Sequence, residues 1–197
     1  MHRIAEITEL QTHLIARWHQ QPVDNQYTGF LGLVCQQLSF NYLLWHEEDI
    51  ARSKDVPDST IAQVKRAIDR YNQQRNDWIE KLDDWLTEEL ARRQITPQAD
   101  ATQNTETAGS SIDRLAILAL RIYHLQEQAD RKDATADHRA SVGRKLAVAH
   151  AQHHDLSQSA QELLSDIFAG RKKHKTYRQM KMYNDPTLNP YLYRAAG

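Results

Sequence analysis

The sequence predicts an all-α protein: a bundle of four long helices, an N-terminal helix covering it, and a C-terminal tail docked on its surface. Three observations predict this. Only 6 Gly and 5 Pro punctuate 197 residues, too few for the turns of a many-stranded β fold. Ala, Leu, Gln, Glu, Lys and Arg, all strong helix formers, are abundant. Apolar residues recur at three- and four-residue steps over long stretches, the period of a single helix face. With 40% hydrophobic residues, a chain of this length can bury one sizeable core without disulfides or a structural metal. One domain over residues 1–197 is therefore expected, with the bundle in 1–169 and the tail in 170–197.

The first helix spans about Ile4 to Gln20, where Ile4, Ile7, Leu10, Leu14 and Trp18 form an apolar stripe that ends before Pro22. The second runs from about Thr28 to Ser53. Its first half is apolar on most sides (Phe30, Leu31, Leu33, Val34, Leu38, Phe40), which marks it as central. Pro57 and an Asp58 cap open the third helix, which reaches about Arg93 and carries Ile61, Val64, Ile68, Tyr71, Trp78, Leu82 and Trp85 as a packing seam. From Ile95 to Gly109 the chain is polar and reads as a loop. The fourth helix is expected from a Ser110 cap to about Arg131. The fifth runs from about Thr135 to Ala169, with Gly170 as its stop signal.

Composition narrows the function classes. Lys and Arg number 25 against 26 Asp and Glu, so no global field draws the chain to polyanions. The single Cys35 lies in an apolar stretch and has no internal disulfide partner, which suits a reducing compartment. No apolar run approaches the roughly 18 residues of a membrane span, and no secretory pattern opens the chain. A soluble, cytoplasmic protein without membrane insertion is expected.

Polar residues placed on otherwise apolar faces are the candidates for a site. On the second helix the stripe Leu31, Val34, Leu38, Asn41, Trp45, Glu48, Arg52 turns from apolar to polar, and Glu48 and Arg52 stand four apart, as a same-helix ion pair requires. Helix-end residues facing solvent give the same pattern, so a polar pocket and a solvated end both remain open. Arg75 falls in the seam of the third helix between Tyr71 and Trp78, and a seam arginine needs a carboxylate. Glu48, Asp49 and Asp113 are the possible partners, with Asn72 and Asn76 supplying further hydrogen bonds. Such a cluster is either a structural ion pair or a site for an anion or sugar.

Arg114 and Asp113 open the fourth helix after a Gly-Ser-Ser run, whose backbone N–H groups can cap the helix or receive an anion. His46 and His124 sit beside carboxylates on central helices and are the acid–base candidates. His150, His153 and His154 have a spacing that allows chelation from one helix. No Glu-x-x-His pair of the di-iron type accompanies them, so no metal and no cofactor is expected. The tail interleaves basic residues (Arg171, Lys172, Lys173, Lys175, Lys181) with Tyr177, Tyr183, Tyr191 and Tyr193. It is expected to dock with its rings buried, and nucleic-acid binding is the disfavoured alternative for it.

Several strings taken together resemble the bacterial domain-of-unknown-function 4254 family: Leu44-Trp45-His46-Glu47-Glu48-Asp49-Ile50-Ala51-Arg52, Asn72-Gln73-Gln74-Arg75-Asn76-Asp77, Ile112-Asp113-Arg114-Leu115, and Tyr177-Arg178-Gln179-Met180-Lys181-Met182-Tyr183-Asn184-Asp185-Pro186. At Gln152-His153 the chain departs from the Gln-Arg of that pattern. The resemblance brings no reaction, cofactor or partner with it, beyond an association with cell-envelope glycan synthesis. It adds Tyr177, Lys181, Asn184 and Asp185 of the tail to the candidate residues. The expected function is a binding or accessory protein with an Arg- and carboxylate-lined site for a small anionic or sugar-like ligand, or for a partner protein. An acid–base enzyme and a purely structural module are the alternatives, and the sequence leaves the oligomeric state open.

Overall fold

The periodic stretches become five long helices in a computed structural model, which describes residues 3–179 and 181–193. The last four residues of the expected tail, 194–197, lie outside the described residues. The helices are α1 (Ile4–Trp18), α2 (Gly29–Ile50), α3 (Asp58–Arg92), α4 (Ala108–Asp130) and α5 (Ala136–Phe168), followed by the four-residue α6 (Pro190–Tyr193). The protein is an all-α bundle. α2 packs chiefly on α3 and α4 chiefly on α5, giving two helical hairpins, while α1 lies across α4 with edges on α2 and α5. Ile7, Leu14 and Ile15 of α1 are fully buried against Val34, Cys35 and Leu38 of α2 and against Ile112 and Leu115 of α4 in one continuous core. No described helix is long and apolar enough to cross a membrane.

Two of the expected caps are corrected. α4 is capped by Thr107, not Ser110: the Thr107 hydroxyl accepts the Ser110 N–H at 3.1 Å. α3 starts behind Pro57, whose extended backbone and carbonyl, accepting from Thr60 and Ile61, set the entry without help from the Asp58 side chain. Gly170 ends α5 as expected. It adopts φ +73°, its N–H donates to Ile167 at 3.0 Å, and the Arg171 N–H reaches back to Asp166 at 2.8 Å, which is the Schellman pairing.

The polar segment after α3 is more ordered than a loop reading implies. Gln98 N–H donates to the Gly170 carbonyl, and β1 (Thr102–Gln103) pairs in parallel with β2 (Lys172–Lys173). Two residues per strand are too few for alternation to be legible in sequence. The tail docks on α3, but by polar contacts, and the expected burial of its rings is wrong. Tyr177, Tyr183, Tyr191 and Tyr193 are all exposed, Tyr191 at 88%. Instead, the Arg178 guanidinium bridges Glu80 and Asp84, and Asn184 donates to Gln73 at 2.9 Å. The acidic and amide face of α3 offers hydrogen bonds where an apolar groove would be needed to take the rings.

Candidate functional site: a charged cleft between three helices

The site begins with a buried carboxylate. Asp113, on the second turn of α4, is 4% exposed, and its Oδ1 accepts from Gln37 at 2.6 Å, Asn41 at 2.9 Å and the Arg75 Nε at 2.9 Å. Its Oδ2 accepts from the Arg75 Nη2 at 3.1 Å, so guanidinium and carboxylate meet through two parallel bonds. A third Arg75 bond, from Nη1 to the side-chain Oδ1 of Asn72, is longer at 3.4 Å. Gln37 and Asn41 lie one turn apart on α2, so the polar face of that helix begins a turn earlier than the sequence stripe indicates.

Local folding holds Asp113 in place. A Cβ on Gly109 would lie 2.6 Å from the Ile79 carbonyl, so only glycine lets the start of α4 approach α3 this closely. There the buried Asp83 accepts the Gly109 N–H at 2.8 Å. Burial pushes the Asp83 carboxyl up, opposed by its bonds to Thr107 and Gly109 and by His174. The N–H groups of Gly109, Ser110 and Ser111 are taken by Asp83 and Thr107, so the anion seat considered at the Gly-Ser-Ser run is filled from within.

Arg75 opens onto a cleft of about 300 Å³ lined by Asn41, Leu44, Trp45, Glu48, Asp49, Arg52, Arg75, Ile117 and Leu120. Five of the sequence-predicted residues thus meet: Asn41, Glu48, Asp49, Arg52 and Arg75, with Asp113 and Asn72 bonded to Arg75. Glu48 pairs with Arg52 at 2.7 Å on the rim. Lys181 of the tail joins the same electrostatic neighbourhood. Burial pushes its ammonium down, with Asp77 and Asp69 opposing and Arg75 reinforcing that shift.

The remaining candidates lie elsewhere. Arg114 is exposed beside Glu106 at 3.8 Å and faces a separate groove with Arg121 and Gln152. Asn184 bonds Gln73, Asp185 closes a turn by accepting from Thr187, and Tyr177 is exposed under Lys175. His46 and His124 do not line the cleft. They pack with His19, and the His124 ring stacks on Trp45 at 5.1 Å.

Sequence reasoning missed Gln37, Leu44, Ile117, Leu120 and His19. A glutamine four residues before Asn41 on an apolar helix was a readable signal for Gln37. His19 had none, because its neighbours come from α2 and α4.

Fold and cleft define the class: a helical-bundle protein carrying a charged, tryptophan-walled cleft between α2, α3 and α4. The chain belongs to the family described as "Protein of unknown function (DUF4254)", whose model matches residues 31–176, well over half of the chain. The match spans α2 to β2; α1 and the whole tail string from Tyr177 to Pro186 lie outside it. Neither comparison with curated proteins nor comparison with solved structures finds a match.

Proposed function

We propose that the protein binds a small sugar-like ligand in the Arg75 cleft and acts as a binding or accessory protein. The observation that carries this reading is the state of Arg75: a guanidinium fixed from behind by a buried carboxylate, yet lining an open cleft. Three of its five N–H donors are used by Asp113 and Asn72, which leaves two on a side chain that needs no reorganisation to receive a ligand.

Charge decides between the two ligand classes. Glu48, Asp49 and Asp113 stand against Arg52, Arg75 and the neighbouring Lys181, so the charges balance and a polyanion gains nothing from the local field. A hydroxyl-rich ligand uses both signs, donating to carboxylates and accepting from guanidinium and amide groups. The Trp45, Leu44, Ile117 and Leu120 surfaces take its apolar face. Such chemistry suits a place in cell-envelope glycan synthesis. An acid–base enzyme is the second reading, resting on Glu48 and Asp49 alone, since neither His46 nor His124 lines the cleft.

Ligand-observed saturation-transfer NMR against neutral and uronic monosaccharides, with inorganic phosphate as the contrasting probe, tests the proposal. Transfer to a sugar that disappears in Arg75→Met and in the rim variant Glu48→Gln supports it. Binding of phosphate alone, or sugar binding that neither variant changes, contradicts it.

A further inference from the structure

His19 at the end of α1, His46 on α2 and His124 on α4 converge, and one ring nitrogen from each lies within 4.8 Å of those from the other two. Their rings meet edge to face at 5.1–5.5 Å between centroids. Hydrogen bonds fix the tautomers of His19 and His124. His19 Nδ1 lies 2.7 Å from the Ile15 carbonyl, which can only accept, so the proton is on Nδ1. His124 Nδ1 lies 2.8 Å from the Glu127 carboxylate, which sets the same tautomer. In both residues Nε2 is then left as a bare lone pair. The Nε2 atoms of His19, His46 and His124 are all buried without a hydrogen-bond partner among the described residues. Two bare lone pairs and a third unpartnered ring nitrogen, gathered from three separate parts of the chain, leave a place for a ligand that would satisfy all three.

We propose that His19, His46 and His124 form a binding site for a divalent transition-metal ion, zinc by preference, with Nε2 as the ligand atom of each. Three neutral imidazoles are a donor set that suits zinc, and they leave a fourth position for water or another small ligand. Nitrogens bound at about 2.0–2.1 Å to a tetrahedral ion stand about 3.4 Å apart, so from separations within 4.8 Å no pair closes by more than about 1.4 Å. Ring rotation about the side-chain torsions provides that movement.

The surroundings fit a metal centre. The Glu127–His124 bond is the carboxylate–histidine pair that orients a ligand and raises its basicity. Tyr123 stacks on His19 at 4.0 Å, Trp45 stacks on His124, and Tyr42, anchored by its hydroxyl on the Trp18 carbonyl, packs against His19 and His46. This aromatic wall limits water access and holds the rings close to their binding orientation. The site differs from the one-helix cluster His150, His153 and His154 considered in the sequence, because its ligands come from three helices. It shares Trp45, which stacks on His124, with the wall of the cleft.

The test uses the full chain, stripped with chelator and titrated with zinc against a chromophoric competitor. One tight equivalent is expected. His46→Gln and His124→Gln should each weaken it by at least about 10-fold with an unchanged helical circular dichroism spectrum, Glu127→Gln by about 10–100-fold, and His153→Gln not at all. Cobalt substitution of the wild-type chain gives a reading that needs no variant to fold: intense visible bands of a tetrahedral, nitrogen-rich site are expected. The proposal is overturned if no tight equivalent binds, if cobalt gives only the weak spectrum of a hydrated octahedral ion, or if binding is lost with His153→Gln and kept with the triad variants.

Discussion

Arg75 on α3 and Asp113 on α4 are joined by two parallel hydrogen bonds of 2.9 and 3.1 Å, with the Asp113 side chain buried and the Arg75 side chain about one quarter exposed. The asymmetry of burial makes the two partners unequal. Removing the carboxylate strands a charge and two amide donors, whereas removing the guanidinium leaves Asp113 still bonded to Gln37 and Asn41. Asp113→Ala should therefore destabilise by about 3 kcal/mol, the low end for a broken buried pair because Arg75 can turn to solvent. Arg75→Met should lose only about 1–2 kcal/mol. Urea midpoints at constant m-value measure both, and equal losses would show that the amide pair does not sustain the carboxylate.

Gly109 sets how closely α4 approaches α3. An added Cβ meets the Ile79 carbonyl at 2.6 Å and the Asp83 carboxylate at 2.9 Å, and the carbonyl cannot move without shifting α3. Gly109→Ala should destabilise by about 1–3 kcal/mol and, because Asp113 is one turn further along α4, should disturb Arg75 as well. Thermal unfolding together with the Arg75 side-chain resonance reads both effects.

His153 links stability to mild acid. Burial pushes it below the ordinary histidine value of 6.5, with His150 adding to the shift, and its Nε2 is buried without a partner. As pH falls below 6.5 the unfolded chain takes up a proton that the folded side chain resists. The stability present above that pH is thus lost as pH drops through the lower folded value. His153→Gln should flatten this part of the pH–stability curve, and an unchanged slope would assign the loss to other groups.

Cys35 should behave as an inert thiol. It is fully buried, and burial pushes it up to about 11 against the lowering influence of Arg17. Iodoacetamide at about pH 8 should label it only after unfolding. Between the ordinary value of 9.0 and about 11 the folded state keeps a proton that the unfolded state has released, so stability falls as pH rises through that window. Rapid labelling of the native chain would contradict this.

The helices were legible in sequence because their signal is local. The Ile7, Leu10, Leu14 stripe and the Gly170 stop need only a few residues of context. Half of the cleft was legible for the same reason: Asn41, Glu48 and Arg52 share a face of α2, and Arg75 interrupts an apolar seam. Which carboxylate answers Arg75 was not, because Glu48, Asp49 and Asp113 are equivalent until α4 is placed against α3 by the Gly109 contact. The tail was misread because four tyrosines imply a buried face, whereas Arg178 and Asn184 hold it to a polar surface of α3. The histidine triad was invisible, since His19, His46 and His124 are separated along the chain and share no spacing rule.

The most direct test of the central claim follows the Arg75 Nε–H resonance by NMR, free and with the sugar that gives the strongest saturation transfer. A guanidinium locked by Asp113 at the wall of an open cleft predicts a slowly exchanging, dispersed resonance that vanishes in Asp113→Asn and shifts on addition of the sugar. A resonance with the exchange rate of free arginine, or one that no sugar moves, would contradict a pre-organised Arg75 site and leave the cluster as architecture.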